Sequence, residues 1–331
     1  MAYDRLSARA ASFLRRESPR SLLQVGSLAL FDALPFLDER GRFRLDDVRA
    51  HVAGRLHRLP AFRLRVQPVP FGQGQAVWVD DGDFDLTYHV RLTALPRPGR
   101  EEQLHALMAR LQALPLDRRR PLWELWFVDG VEGDRVAVIQ KTHLAVAHER
   151  GAVHALDAIL DAEPCVAPVD VPAWTVRKAP KNATLLAHSL AVRATHPAAM
   201  ARMAVQGPRL ALAAAGRRSR PVAEIGTRLR YEAVRADDAS EADVRAVVGA
   251  LGPSATIHFQ TLPGPRFLLG ARLLEVFPSA PRAGEAVAVS ALSYDGRLGI
   301  GLTGDVAASS YLRELADALG GASGEPGMAA G

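Results

Sequence analysis

The run "PLWELWFVDGVEGDRVAVIQKTHLAVAHERGAVHALDAIL" occupies residues 121–160, and its reading decides how the rest of the chain is arranged. Two apolar stretches flank a Gly/Asp turn, which is the pattern of a β-hairpin. The second strand runs into "KTHLAVAHERG" (141–151), and apolar spacing becomes helical over "AVHALDAILDA" (152–162). Strand, polar loop "VAHERG" and helix is therefore the expected order, with His143 and His148 at the junction. Side chains alternate along a strand, so Leu144 is expected to share a face with Thr142 and Gln140 while His143 points the other way.

Working outward, "VGSLALFD" (25–32) reads as a strand. "RLDDVRAHVAGRLHRLP" (44–60) has an Asp-rich start, helical spacing and a Pro stop, so it reads as a helix. "FRLRVQPV" and "AVWVDDG" read as strands on either side of the turn "FGQG". "FDLTYHVRLTAL" reads as a further strand ending at Pro96, followed by a helix at 101–113. Residues 163–183 are rich in Pro and Val and read as a linker, and 184–216 are Ala-rich and helical, interrupted by Pro197 and Pro208. In the last third "TRLRYEAVR", "SATIHFQTL", "AVAVSALSY" and "LGIGLTGD" read as strands, with helices over "EADVRAVVGAL" and "SSYLRELADALGG". The expected division is 1–162, a connector at 163–220, a second unit at 221–321 and a frayed tail at 322–331: two α/β units and no internal repeat.

Composition removes several function classes. The 331 residues are 48% hydrophobic and 23% charged, as in a globular protein with a full core. The net charge of +5 comes with 38 Arg among 41 basic residues, but they are scattered, and "RRESPR", "RRR" (118–120) and "RRSRP" are short and far apart. These read as solvated surface and not as a nucleic-acid stripe. A single Cys165 excludes an internal disulfide framework, and no run approaches the length of a membrane span, so a cytoplasmic protein with at most peripheral membrane contact is expected.

Motif tests narrow the field further. "FGQGQAV" lacks the third Gly of a dinucleotide fingerprint. "HERGAVH" has Ala152 where a zinc-protease helix carries its second His, and His148 and His154 are six apart, so no metal is expected. There is no GxSxG elbow and no phosphate-binding GK[ST].

The 121–160 run, with "LSARAASFLRRESPRSLLQVGSLALFD" (6–32), "FDLTYHVRLTALPRPG" (84–99), "LDRRRPLWE" (116–124), "LPGPRFLLGARLLEVFPSAP" (262–281) and "LSYDGRLGIGLTGD" (292–305), resembles the bacterial wax ester synthase/diacylglycerol acyltransferase family. The resemblance implies an α/β (α+β) fold like chloramphenicol acetyltransferase, with mixed sheets, flanking helices and two domains meeting at the active site, the second one here truncated. It also implies acyl transfer from acyl-CoA, a co-substrate with no further cofactor, to a long-chain alcohol or diacylglycerol. The family's pattern is K-x-H-H-A-x-x-D-G, in which the second His removes the acceptor's proton. Lys141, His143 and Ala145 fit; Leu144 stands at the base position, His148 at the Asp and Glu149 at the Gly.

Three further departures accompany these. "DVRAVVGALGPSATIHFQTLPGP" (243–265) joins two family segments with the region between them missing. The Asn-Asp pair of that region is absent, the chain's single Asn being Asn182, and the family's Ser-Asn before its VPGP turn is replaced by Gln260 and Thr261. Candidate bases are His143 and His148, and candidate substrate contacts are Trp123, Gln260 and Thr261. Two readings stay open: an active O-acyltransferase, or a non-catalytic relative that binds lipid or acyl-CoA or pairs with an intact paralogue. The Ala-rich connector with its arginines could lie on a membrane or lipid droplet, or pack as an inter-domain helix.

Overall fold

The computed structural model describes residues 3–19, 21–72, 74–150, 155–165, 174–194, 229–237, 239–251, 255–281 and 287–321. The expected linker residues 166–173, the connector from 195 onward and the tail 322–331 lie outside these.

Helix α1 (Ala8–Arg16) opens the chain after β1 (Asp4–Arg5); Ser7 caps it by accepting the Ala10 N–H at 3.1 Å. Strand β2 (Gln24–Asp32) follows, then α2 (Leu45–Arg55), β3 (Leu64–Gln67) and β4 (Val77–Asp80). The strand expected over 84–95 divides into a short helix α3 (Leu86–His89) and β5 (Val90–Ala94). Asp85 explains the break, because its carboxylate accepts the Thr87 N–H at 2.9 Å and offers the backbone a capped turn in place of a ladder.

Helix α4 (Glu101–Gln112) precedes the hairpin of β6 (Trp123–Val131) and β7 (Arg135–His143). The polar loop expected next is instead helix α5 (Leu144–Arg150), which begins on the residue after the strand. Ala145, Val146 and Ala147 bury its inner face, and His143 serves as its cap, its Nδ1 accepting the Ala145 N–H at 3.0 Å. Helices α6 (Ala155–Ile159) and α7 (Asn182–Ala194) follow. The rest comprises β8 (Leu229–Arg235), α8 (Glu241–Leu251), β9 (Ala255–Leu262), β10 (Phe267–Leu268), β11 (Ala271–Ser279), β12 (Val287–Tyr294), β13 (Arg297–Asp305) and α9 (Ser309–Gly321).

Three sheets result. A six-stranded sheet has the order β10-β11-β2-β7-β6-β5, a four-stranded sheet β8-β13-β12-β9, and a small one β1-β4-β3. In the large sheet β11 comes from the carboxyl-terminal part of the chain and pairs antiparallel with β2, Val276 opposite Ala29 and Phe277 opposite Leu28. One core lies between this sheet, α1, α2 and α6, and a second fills its other face beneath α4 with Leu104, Met108, Leu28 and Ile139. Helices α8 and α9 cover one face of the four-stranded sheet through Val244, Val248, Leu312 and Leu315.

The other face of that sheet meets β11 at very close range. A Cβ on Gly299 would stand 2.1 Å from the Val276 carbonyl oxygen, and one on Gly301 1.7 Å from that of Pro278. Alternate glycines on one face of β13 therefore let the two backbones touch. Tyr231 seals the junction, its buried hydroxyl donating to the Phe277 and Pro278 carbonyls at 3.1 and 3.3 Å.

Candidate functional site

A narrow cleft open to solvent lies where the two large sheets meet, bordered by Gly26, Ser27, Gln140, Leu156, Asp157, Gln260, Leu262, Val276, Pro278 and Leu292. Its floor is the pair Ser27 and Gln140, opposite each other on β2 and β7. Ser27 Oγ donates to Gln140 Oε1 at 3.3 Å, and Gln140 Nε2 donates to Thr142 Oγ1 at 3.0 Å. Gly26 is required there, since a Cβ would meet the Gln140 carbonyl oxygen at 2.1 Å. The far wall is β9 and β12, and α6 forms one side. The lining mixes apolar residues in comparable measure with the polar Ser27, Gln140, Asp157 and Gln260.

Asp157 is the ionisable residue among those that border the cleft. Arg266 Nε donates to its Oδ1 at 2.8 Å, and the Arg266 N–H is held by the Tyr294 hydroxyl at 3.0 Å. The neighbouring segment is anchored from below: Arg55 makes two bonds to the buried Asp161 carboxylate, and Asp161 exchanges backbone hydrogen bonds with Phe267 at 2.8 and 2.9 Å. The α6 side of the cleft is thus tied both to α2 and to β10.

The two candidate histidines occupy different surroundings. His143 is 1% exposed at the end of β7. With Nδ1 accepting from Ala145, its hydrogen sits on Nε2, which lies 3.3 Å from Glu17 Oε1, inside ion-pair distance though outside hydrogen-bond geometry. Burial raises the Glu17 carboxyl, but His143, Arg118 at 2.9 Å and the Leu23 N–H at 3.2 Å outweigh it and lower it to about 2. His148 is exposed on α5, its ring edge-on to Phe13 at 5.9 Å. Neither histidine borders the cleft.

Leu144, half-buried, starts α5, and its N–H still bonds the Leu23 carbonyl at 2.8 Å as the strand pairing ends. Glu149 lies in α5, and its side chain falls outside the described residues, as do positions 151–154 with His154. Gln260 and Thr261 are parted by strand alternation: Gln260 borders the cleft and Thr261 is exposed on the other face of β9. Trp123 is 1% exposed within the core, stacked between Phe62 at 4.6 Å and His89 at 4.4 Å, its Nε1 donating to the Phe62 carbonyl at 2.8 Å. Ser27, Gln140 and Asp157 were not singled out as ligand contacts from sequence, because it is the pairing of β11 with β2 that brings Val276 and Pro278 beside them to close the cleft.

Lys141 lies on the opposite face of β7 and is also 1% exposed. Burial lowers its ammonium to about 8 although Glu124 Oε2 is 3.9 Å away, and it donates to the Leu114 carbonyl.

Comparisons with known proteins agree with this architecture. The wax ester synthase/diacylglycerol acyltransferase catalytic domain model matches residues 6–252, and the C-terminal domain model of the same family matches residues 238–322. A Mycobacterium tuberculosis H37Rv protein named "Probable diacyglycerol O-acyltransferase tgs3" is 40% identical over 184 residues, covering 55% of this chain and 65% of that one. Another from the same strain, "Probable diacyglycerol O-acyltransferase tgs1", is 39% identical over 153 residues, covering 46% of this chain and 32% of that one. The match thus spans less than two thirds of the length of these relatives.

Among solved structures, the wax ester synthase/diacylglycerol acyltransferase from Marinobacter aquaeolei VT8 superposes with a TM-score of 0.62 at 18% identity, over 97% of this chain and all of that one. A starter condensation domain of a rhizomide synthetase in complex with C8-CoA and Leu-SNAC superposes with a TM-score of 0.53 at 10% identity, over 97% of this chain and 95% of that one. These likenesses show the mixed α/β fold with two sheet-bearing units. With two models of one family together covering residues 6–322, and the fold in agreement, the chain belongs to the wax ester synthase/diacylglycerol acyltransferase family.

Proposed function

We propose that this chain binds an acyl thioester or an acyl lipid in the cleft between its sheets and acts as a non-catalytic member of the family, alone or beside an intact paralogue. The observation that carries the reading is that no histidine is among the described residues bordering the cleft and that the one carboxylate there, Asp157, is paired with Arg266. Leu144 has none, and both ring nitrogens of His143 face α5 and Glu17. The Asp157 carboxylate is held by Arg266. What remains, Ser27, Gln140 and Gln260 against apolar walls, suits a long chain with a neutral carbonyl or hydroxyl group.

The family's own reaction is the second reading: transfer of the acyl group from acyl-CoA to a long-chain alcohol or diacylglycerol, with acyl-CoA as co-substrate and no resident cofactor. A general base contributes ~10²–10⁴-fold, so an open cleft without one retains what positioning supplies. Contact with a membrane or lipid-droplet surface belongs to the same proposal. No helix among the described residues is long and apolar enough to cross a membrane, and Leu190 on α7 is half exposed.

The test is transfer of label from palmitoyl-CoA to hexadecanol or dioleoylglycerol, with palmitoyl-CoA binding measured in parallel, for the native chain and Leu144→His. Binding by both proteins, with transfer at least ~10²-fold faster in Leu144→His, is the expected result. Native transfer that vanishes in His148→Ala would overturn it and make the chain an enzyme with a relocated base.

A further inference from the structure

The three arginines of "RRR" (118–120) take three different roles. Arg118 binds Glu17 at 2.9 Å and Arg119 binds Asp117 at 3.1 Å. Arg120 has no carboxylate within ion-pair distance among the described residues, and its guanidinium makes no hydrogen bond to them. It lies 4.1 Å from the centroid of the Tyr88 ring instead. Against the same ring, at 4.3 Å, lies the guanidinium of Arg91, also 4.9 Å from the Trp126 ring. Arg91 Nε donates to the Tyr88 carbonyl, while both its Nη groups lack protein acceptors among the described residues. All four side chains are half-buried.

Two guanidiniums are therefore held in fixed positions by stacking, with their forks unspent. The nearby carboxylates are already engaged. Asp85 accepts from Thr87, Asp117 from Arg119, and Glu124 from Trp126 Nε1 at 3.0 Å. Burial lowers His89 to about 4, with Arg120 and Arg91 adding to it and Asp85 opposing them. Such an arrangement suits a group with several anionic oxygens in one cluster, because a planar fork pairs with two of them at once.

We propose that Arg91, Arg120 and Tyr88 form a binding site for a phosphate group, with Trp126 as its aromatic flank. Register places this site on the face of the large sheet opposite the cleft. Arg91 pairs with Trp126, which follows Glu124 on the same face, and Glu124 pairs with Lys141, whereas the cleft floor uses the alternate pair Ser27 and Gln140. The site is independent of the cleft reading and survives its failure. The phosphate could be carried by a soluble nucleotide or by a phospholipid headgroup, and the same experiment separates them.

Full-length protein is titrated calorimetrically with inorganic phosphate and with adenosine 3′,5′-bisphosphate, and is sedimented with dioleoylphosphatidylcholine vesicles with and without dioleoylphosphatidate. Binding of the bisphosphate, weakened roughly tenfold or more by Arg120→Ala and by Arg91→Ala, is the expected result for a soluble ligand. Binding confined to phosphatidate vesicles, with the same loss in both variants, assigns the site to a headgroup. Arg120→Lys is expected to recover only part of either, since an ammonium has no fork. Absence of binding to every probe, or binding unchanged in both variants with native circular dichroism, would overturn the proposal.

Discussion

His143 shows how one side chain can be legible in the sequence while its partners are not. Its place in a K-x-H motif draws attention to catalysis, yet its ring caps α5 through the Ala145 N–H and faces Glu17 at the end of α1. The consequence is structural. Glu17→Gln would leave exposed Arg118 and buried His143 with a neutral partner, and is expected to cost about 1–3 kcal/mol in urea unfolding at neutral pH. The sign of the pH dependence follows from the lowered carboxyl. Above its ordinary value of 4.5 the stabilisation is fully present, and it is lost as pH falls from there through about 2. Native protein and Glu17→Gln should therefore converge in stability as unfolding is measured at successively lower pH in that window; a constant difference would refute the account.

At the scale of elements, the hairpin of β6 and β7, the long helices and the strands β2, β8, β9, β12 and β13 were legible because each carries a clean period and a turn or cap. Two segments were not. In α5 the stretch "LAVAHER" reads as loop because its polar end hides three buried residues, and its helical state depends on a cap supplied by the preceding strand. In β11 the residues 271–279 include Pro278 and a run buried on both faces, so alternation does not mark them as a strand and only the family resemblance does. The Gly26 position on β2 tests the reading of close packing at the cleft. Gly26→Ala places a Cβ against the Gln140 carbonyl and the Gln112 side chain at 2.1 and 2.4 Å. A loss of ~1–3 kcal/mol with a lower Tm is expected, and a variant as stable as the native chain would show that β2 and β7 can separate.

For the molecule as a whole, the decisive contact is between β13 and β11, where Gly299 and Gly301 let one sheet lie on the other. An ion-pair cluster borders this contact. Arg235 on β8 binds Glu275 on β11 at 2.6 Å and Glu101 on α4 at 2.7 Å, and His105 faces Glu232 at 3.2 Å. Because the clash at Gly301 is with backbone, Gly301→Ala cannot be absorbed by a rotamer change and must move the four-stranded sheet. About 1–3 kcal/mol of destabilisation is expected in denaturant titration. Palmitoyl-CoA binding should weaken in the same variant, since Pro278 also borders the cleft. Unchanged stability and binding would mean that the two sheets are not locked by this contact.

The sequence by itself determined the family, the α/β character and most elements, because these depend on local period and on the order of short motifs along the chain. Gln260, one of the candidate contacts in the sequence, borders the cleft. Only the tertiary structure decided that β11 crosses into the first sheet, that His143 is a cap and His148 an exposed helix residue, and that Trp123 belongs to the core. It alone revealed that Arg91 and Arg120 share one tyrosine ring. Each of these facts is a meeting of residues far apart in the chain or a choice of face at a strand end, and neither is encoded in local periodicity.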